Sequence, residues 1–178
     1  KKKIDKPVID LLPLENFRFD PGASWVDPVN SSPYTIRLIP MYVKDAKAKM
    51  TKNDPKTGAP KWKAMSDTQL LAAADASSDT TRQARERGRT DSTQQGGITS
   101  FTIVWVHEVI MEIDGEDMIW YTLGNVGLLS DPVPLADVYF HGIRPYVLGI
   151  CIIEAHKIYP DGVTGISKDV QAEINEVA

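Results

Sequence analysis

The stretch "ITSFTIVWVHEVIMEIDGEDMIWYTLGN", residues 98–125, limits the possible folds of this chain more than any other. A run rich in β-branched and aromatic residues reaches Ile113, Asp114-Gly115 breaks it, and "EDMIWYTLG" returns. Asp-Gly between two such runs is a strong hairpin signal, because the tight two-residue turn needs positive φ at both central positions. Alternation assigns Phe101, Ile103, Trp105, His107, Val109 and Met111 to one face. Thr102, Val104, Val106, Glu108, Ile110 and Glu112 fall on the other. Both faces are apolar near the middle, so the hairpin is expected to be covered on both sides for part of its length. Trp105 and Trp120 are expected to stack across it.

Upstream, "VIDLLPLENFRF" (8–19) reads as strand, with Phe17 and Phe19 on one face and Arg18 on the other. Asp20-Pro21-Gly22 supplies turn chemistry, and Asp27-Pro28 makes a second break. "YTIRLIPMYV" alternates as a strand interrupted at Pro40, hence an edge or an end. Then the composition changes. Residues 44–91 hold 11 of the 20 Lys and Arg against 7 acids, about +4, so the rest of a chain of net charge −4 carries about −8. Such a segment reads as an insertion. "KDAKAKMTK" has the pattern of a short amphipathic helix, and Ser66 is placed to cap "DTQLLAAADA" with Asp67 in its first turn. "SSDTTRQARERGR" suggests another short helix. With few large apolar residues, little of this region is expected to be core. Beyond the hairpin come a Pro-rich loop, a His141-Gly142 turn, an apolar strand over 146–153, and a final helix capped by Ser167 with Asp169 near its positive end.

The fold class is therefore α+β: mostly antiparallel strands with a long hairpin, short helices in a polar insertion, and the start of a long C-terminal helix. Residues 1–43 form the first part of an α+β domain, 44–97 the polar, basic, partly helical insertion, 98–166 the remainder of the β domain, and 167–178 a helix leading out. The chain has no initiating Met and ends within a helical pattern, so it reads as an excerpt of a longer polypeptide. No apolar run approaches the ~20 residues of a membrane helix, and Cys151, the single cysteine, reads as buried packing.

Motifs for chemistry are sparse. His107, His141 and His156 have no metal-ligand spacing, and His107 and Glu108 point to opposite faces of a strand. Glu112, Asp114, Glu116 and Asp117 cluster at the hairpin tip, where an exposed, solvated turn explains them better than acid–base catalysis. Nucleophile-elbow, Walker A and dinucleotide-binding patterns are all missing. The reading assigns no catalytic, cofactor-binding or metal residues and no cofactor. Arg82, Arg85 and Arg89 fall on one side of a helix, a candidate contact with phosphate or a neighbouring subunit beside the plainer reading of a solvated face. Aromatic residues that would stack on single-stranded bases do not interleave them.

Taken in order, the pieces resemble the portal (head-to-tail connector) proteins of tailed bacteriophages, the podovirus-type group. "LLPLENFRFDPGASWVDP" is similar to the family's strand end running into Asp-Pro and a small residue. A polar, basic helical stretch follows, then "FTIVWVHEVIMEIDGEDMIWYTLGNVGLLS" resembles its strand–hairpin–strand with Gly-Asn before the exit. "HGIRPYV" and "GVTGISKDVQAEINEVA" resemble its approach and entry to a long helix. The resemblance covers nearly the whole chain, its basic middle least. It implies the wing-like portion of a ring-forming subunit, usually one of twelve, at a capsid vertex. Its implied partners are the major capsid protein, the terminase large subunit, and tail or adaptor proteins. Double-stranded DNA would pass through without sequence-specific binding, and the place would be the virion, assembled in the host cytoplasm. No enzymatic activity and no membrane are implied. A non-enzymatic α+β protein-binding module, reading a partner by a sheet edge or the 126–145 loop, is the alternative.

Overall fold

The structure is a computed structural model that describes residues 8–53, 60–74, 100–150, 165 and 167–177. It is an α+β fold. A six-stranded antiparallel sheet is ordered β1-β2-β3-β4-β5, with β6 also on β4. The strands are β1 (Phe17–Phe19), β2 (Tyr34–Tyr42), β3 (Ile103–Ile113), β4 (Glu116–Leu123), β5 (Gly127–Leu128) and β6 (Val133–Pro134). Helices α1 (Pro28–Ser31), α2 (Val43–Thr51), α3 (Asp67–Ala74), α4 (Leu135–Val138) and α5 (Lys168–Val177) complete the described elements.

The hairpin forms where the Asp-Gly pair requires. Asp114 and Gly115 have φ of 54° and 84°, the left-handed pair of a type I′ turn, which matches the twist of the flanking strands. A two-residue turn sets Ile113 opposite Glu116. Counting back places Trp105 opposite Gly124, whose N–H donates to the Trp105 carbonyl at 2.8 Å. Val104, Val106, Glu108 and Ile110 are all buried, and Trp105 is buried on the other face, so the middle of β3 is covered on both sides. The expected stacking of Trp105 on Trp120 fails on register. Trp120 falls opposite Val109, four residues from Trp105, or about 13 Å at strand rise.

Two compact units divide the chain: Lys1–Arg18 with Ile36–Val109 and Ile119–Pro132, and Phe19–Thr35 with Ile110–Met118 and Val133–Ala178. In the first, the core gathers Val43, Ala46 and Met50 of α2, Trp62, Leu70 and Ala73 of α3, Val104, Val106, Leu123 and Leu129. Positions 43, 46 and 50 lie on one helical face, leaving Lys44 and Lys47 exposed. At the start of α3 the Ser66 hydroxyl accepts the Gln69 N–H, while Gln69 Oε1 accepts the Ser66 N–H at 2.9 Å. This is a reciprocal capping box. The expectation that little of the polar insertion, 44–97, is core is thus corrected for 44–53 and 60–74. Two fully buried alanines and a few large side chains seal the sheet there, and a count of apolar residues does not reveal that they share one face.

Three strand expectations need correction. Residues 8–13 form no strand: Val8, Ile9 and Leu11 are exposed, and the Asn16 N–H closes a 3₁₀ turn onto Pro13 O before β1 begins. β2 runs through Pro40 to Tyr42, so the strand is not interrupted there, and in the sheet order it lies between β1 and β3. The Val43 N–H donates to Thr102 O next to β3. By the two-residue alternation, the nitrogen of Pro40 points away from β3, where its missing hydrogen breaks no β2–β3 bond. Residues 146–150 form no strand, and 151–153 lie outside the described residues. The 126–145 segment, read as loop, contains β5, β6 and α4.

In the second unit the Asp20 carboxylate accepts the Gly22 N–H at 2.9 Å, and Asp27 caps α1 through the Asn30 N–H with Pro28 as its first residue. Asp27-Pro28 therefore starts a helix. Ser32 accepts the Asp20 N–H and donates to Tyr34 O, holding the two ends of this corner together. Phe17 and Phe19 anchor β1 by burial, whereas Trp25 stands at the surface. In α5 the Gln171 N–H donates to Ser167 O, in agreement with the expected start.

Thr35 is fully buried with its hydroxyl unpartnered among the described residues. Replacing it with the near-isosteric Val removes a desolvated, unsatisfied group and suits a strand. Thr35→Val is expected to raise stability by about 1 kcal/mol, read as a higher urea midpoint at unchanged slope.

Candidate functional site

Two polar nodes are built into otherwise apolar surroundings. The first lies in the second unit and centres on Arg144. Its Nε and Nη2 donate to the two oxygens of Asp117 at 2.8 and 2.7 Å, a bidentate fork, and Nη1 donates to Val29 O at 2.8 Å and to Ser32 O. The Arg144 side chain is only 4% exposed and Asp117 23%. Gly142, at φ 62°, turns the chain just before it. One guanidinium thus ties the end of α1, the start of β4 and the segment after α4. Planar, five-donor geometry is what makes this possible, and lysine has no equivalent fork.

The second node lies in the first unit. Counting from the turn places Glu108 directly opposite Tyr121, and the Tyr121 hydroxyl donates to Glu108 Oε2 at 2.7 Å. Glu108 is buried. Tyr121 also packs on Trp62, ring centroids 5.6 Å apart, and Lys49 Nζ sits 4.8 Å from the Trp62 ring. Burial and nearby Lys61 lower the Lys49 pKa, against the smaller opposing pull of Glu108. A carboxylate, a phenol, an indole and an ammonium are thereby drawn together from β3, β4, α2 and the segment before α3.

These nodes give shape. Arg144 has its donors directed to fixed acceptors, and Tyr121 meets Glu108 within the sheet's own pairing. Among the described residues, no group of three or more His, Cys, Asp or Glu is arranged to hold a metal ion, and no helix is long and apolar enough to cross a membrane.

The structure separates the acidic hairpin-tip residues. Glu112, Asp114 and Glu116 are exposed, but Asp117 is half-buried in the bond to Arg144, which corrects its reading as part of a solvated turn. Arg144 itself carried no signal in the sequence beyond lying within "HGIRPYV". His107 is half-buried in β3, and His141 stacks with Tyr139 and accepts the Ile143 N–H at Nδ1. Arg82, Arg85 and Arg89 lie outside the described residues, as do Cys151 and His156.

What the surface offers is apolar. Tyr42 and Phe101 pack edge to face, 6.2 Å between centroids, while remaining 43% and 73% exposed. In the second unit, Phe140, Ile143 and Val147 are 95%, 60% and 99% exposed. Side chains of this kind in water mark contact surfaces when they cluster. No family model, curated protein or solved structure matches the chain.

Arg144→Met removes a buried fork and strands the Asp117 carboxylate with two carbonyls, an expected loss of about 3–5 kcal/mol in urea unfolding. Arg144→Lys is expected to recover only part of this, having no bidentate geometry. Lys49 titrates lower in the folded chain than its ordinary 10.5, so the unfolded state binds more protons in the intervening window. Stability therefore rises with pH through that window. Lys49→Gln is expected to flatten this alkaline rise, measured as urea midpoints across pH.

Proposed function

We propose that the chain is a non-enzymatic structural subunit of a tailed-phage portal: part of a homo-oligomeric ring, of twelve copies, at the capsid vertex. Double-stranded DNA is packaged and ejected through this ring, and the tail attaches to it. The observation that carries the proposal is the division of labour between interior and surface. The buried Arg144 and Glu108 and their half-buried partners Asp117 and Tyr121 are committed to holding strands and turns in place. Large apolar side chains, with Phe101 and Phe140 foremost, stand exposed. Polar groups committed to the interior together with unburied apolar surface suit assembly better than turnover.

The ordered motifs from "LLPLENFRFDP" to "ISKDVQAEIN", through their resemblance to portal proteins, support this choice of family. The net charge of −4 per copy supports a conduit: twelve copies sum to roughly −48, a field that repels duplex DNA where it faces the passage. In this reading the major capsid protein, the terminase large subunit and tail or adaptor proteins are the further partners, and the virion is the destination. Closed rings require two different surfaces meeting head to tail on every subunit.

Electron microscopy of the purified polypeptide that carries this chain tests the proposal. Rings with a central hole are expected, with a solution mass near a dozen subunits. A solitary protein at high concentration overturns it and leaves the second reading, a protein-binding module using the exposed segment around Phe140 and Val147.

A further inference from the structure

The two compact units differ sharply in charge. Among the described residues, the first contains 8 Lys and Arg against 6 Asp and Glu, net +2; the second contains 2 against 10, net −8. Each also exposes apolar side chains beside charges of its own sign. In the first unit the exposed Tyr42–Phe101 pair is joined to the start of α2: the Lys44 N–H donates to Ser100 O, and Lys44 and Lys47 project outward from that helix. Lys47 is shared with Asp67 at 2.6 Å, whereas Lys44 has no ion-pair partner among the described residues. In the second unit the end of the β3–β4 hairpin exposes Met111 and Ile113, each 40%, on one face of β3. Glu112, Asp114 and Glu116 surround them, all exposed.

We infer that copies of this chain associate with one another head to tail, the Tyr42–Phe101 face with Lys44 and Lys47 on one copy receiving the acidic Met111–Ile113 hairpin end of the next. This rests on the ring reading above and names the contact that builds the ring. A second copy is the occupant because the same chain supplies both halves of a complementary pair: an aromatic surface edged with ammonium groups, and an aliphatic surface edged with carboxylates. Like charges oppose pairing of either surface with itself, so a symmetric dimer through one face is disfavoured and a repeating, two-surface contact is favoured. Apolar side chains at the centre with charges at the rim is also the usual anatomy of a protein interface.

Charge reversal tests this with exposed residues, of which Lys47 gives up its surface pair with Asp67. One variant carries Lys44→Glu and Lys47→Glu; the other carries Glu112→Lys and Glu116→Lys. Each is expected to keep the parent's circular dichroism, with a urea midpoint close to the parent's, the lost surface pair lowering that of the first variant only slightly. In sedimentation velocity at about 0.1 M salt, each alone is expected to associate about tenfold more weakly than the parent, or worse. A one-to-one mixture is expected to recover association, because both surfaces of the first variant are then negative and both of the second positive. Raising salt to about 1 M, where screening shortens to ~3 Å, is expected to weaken the parent and the mixture alike. Variants that associate as the parent does, a mixture that stays dissociated, or a parent that does not associate would each overturn the inference. Rings seen by microscopy with both variants unaffected would refute this contact while leaving the portal reading intact.

Discussion

Everything in the sheet depends on the register set at Asp114 and Gly115. Both residues occupy left-handed backbone conformations, which a two-residue turn demands and few residue pairs accept. A slip of one position would turn Val104, Val106, Glu108 and Ile110 from the buried face to the other side. It would also part Glu108 from Tyr121, leaving a buried carboxylate without its phenol. The turn and the buried face therefore enforce each other: the turn selects the pairing, and the cost of exposing that face penalises any alternative.

Buried charge is used in this protein as a fastener. Arg144 reaches the carbonyls of Val29 and Ser32 and the carboxylate of Asp117 at once. A packed aliphatic side chain in its place would bury comparably well, yet would not specify which turn meets which strand. A multi-donor plane satisfies that geometric requirement in one arrangement only, so the second unit gains a defined shape despite having only short helices and strand ends. Glu108 and Tyr121 do similar work in the first unit, where Trp62 packs on the phenol and Lys49 sits over the Trp62 ring. Rigid units of this kind can present exposed apolar side chains at fixed positions, and a repeating assembly requires that.

Legibility in the sequence follows the range of the interaction. The hairpin, the Ser66 and Ser167 helix starts, the Asp20-Pro21-Gly22 turn and the inward pair Phe17 and Phe19 were all readable, because each depends on residues within a few positions. Asp27-Pro28 was read as a break and is a helix start: the same residue types serve both, and only the following backbone decides. Pro13 ended the first strand pattern, and its effect on the apolar residues before it was missed. Arg144 and Asp117 lie 27 positions apart and Arg144 and Val29 lie 115 apart, and no local pattern announces either contact. Of the candidate contact surfaces, the acidic hairpin end was visible in the sequence. The Tyr42–Phe101 face was not, because its two rings come from separate parts of the chain.

By itself, the sequence determined the alternation of β3, the turn that returns it, the Ser66 cap and the balance of charge, since backbone conformation, side-chain periodicity and ionisation act locally. Tertiary structure alone decided that Ala46, Trp62 and Leu70 join one core, that Asp117 is bound while Glu116 is exposed, and that Pro40 sits inside a strand. Those outcomes depend on which surfaces exclude water from one another and which donors meet which acceptors. Only the folded chain brings those groups together.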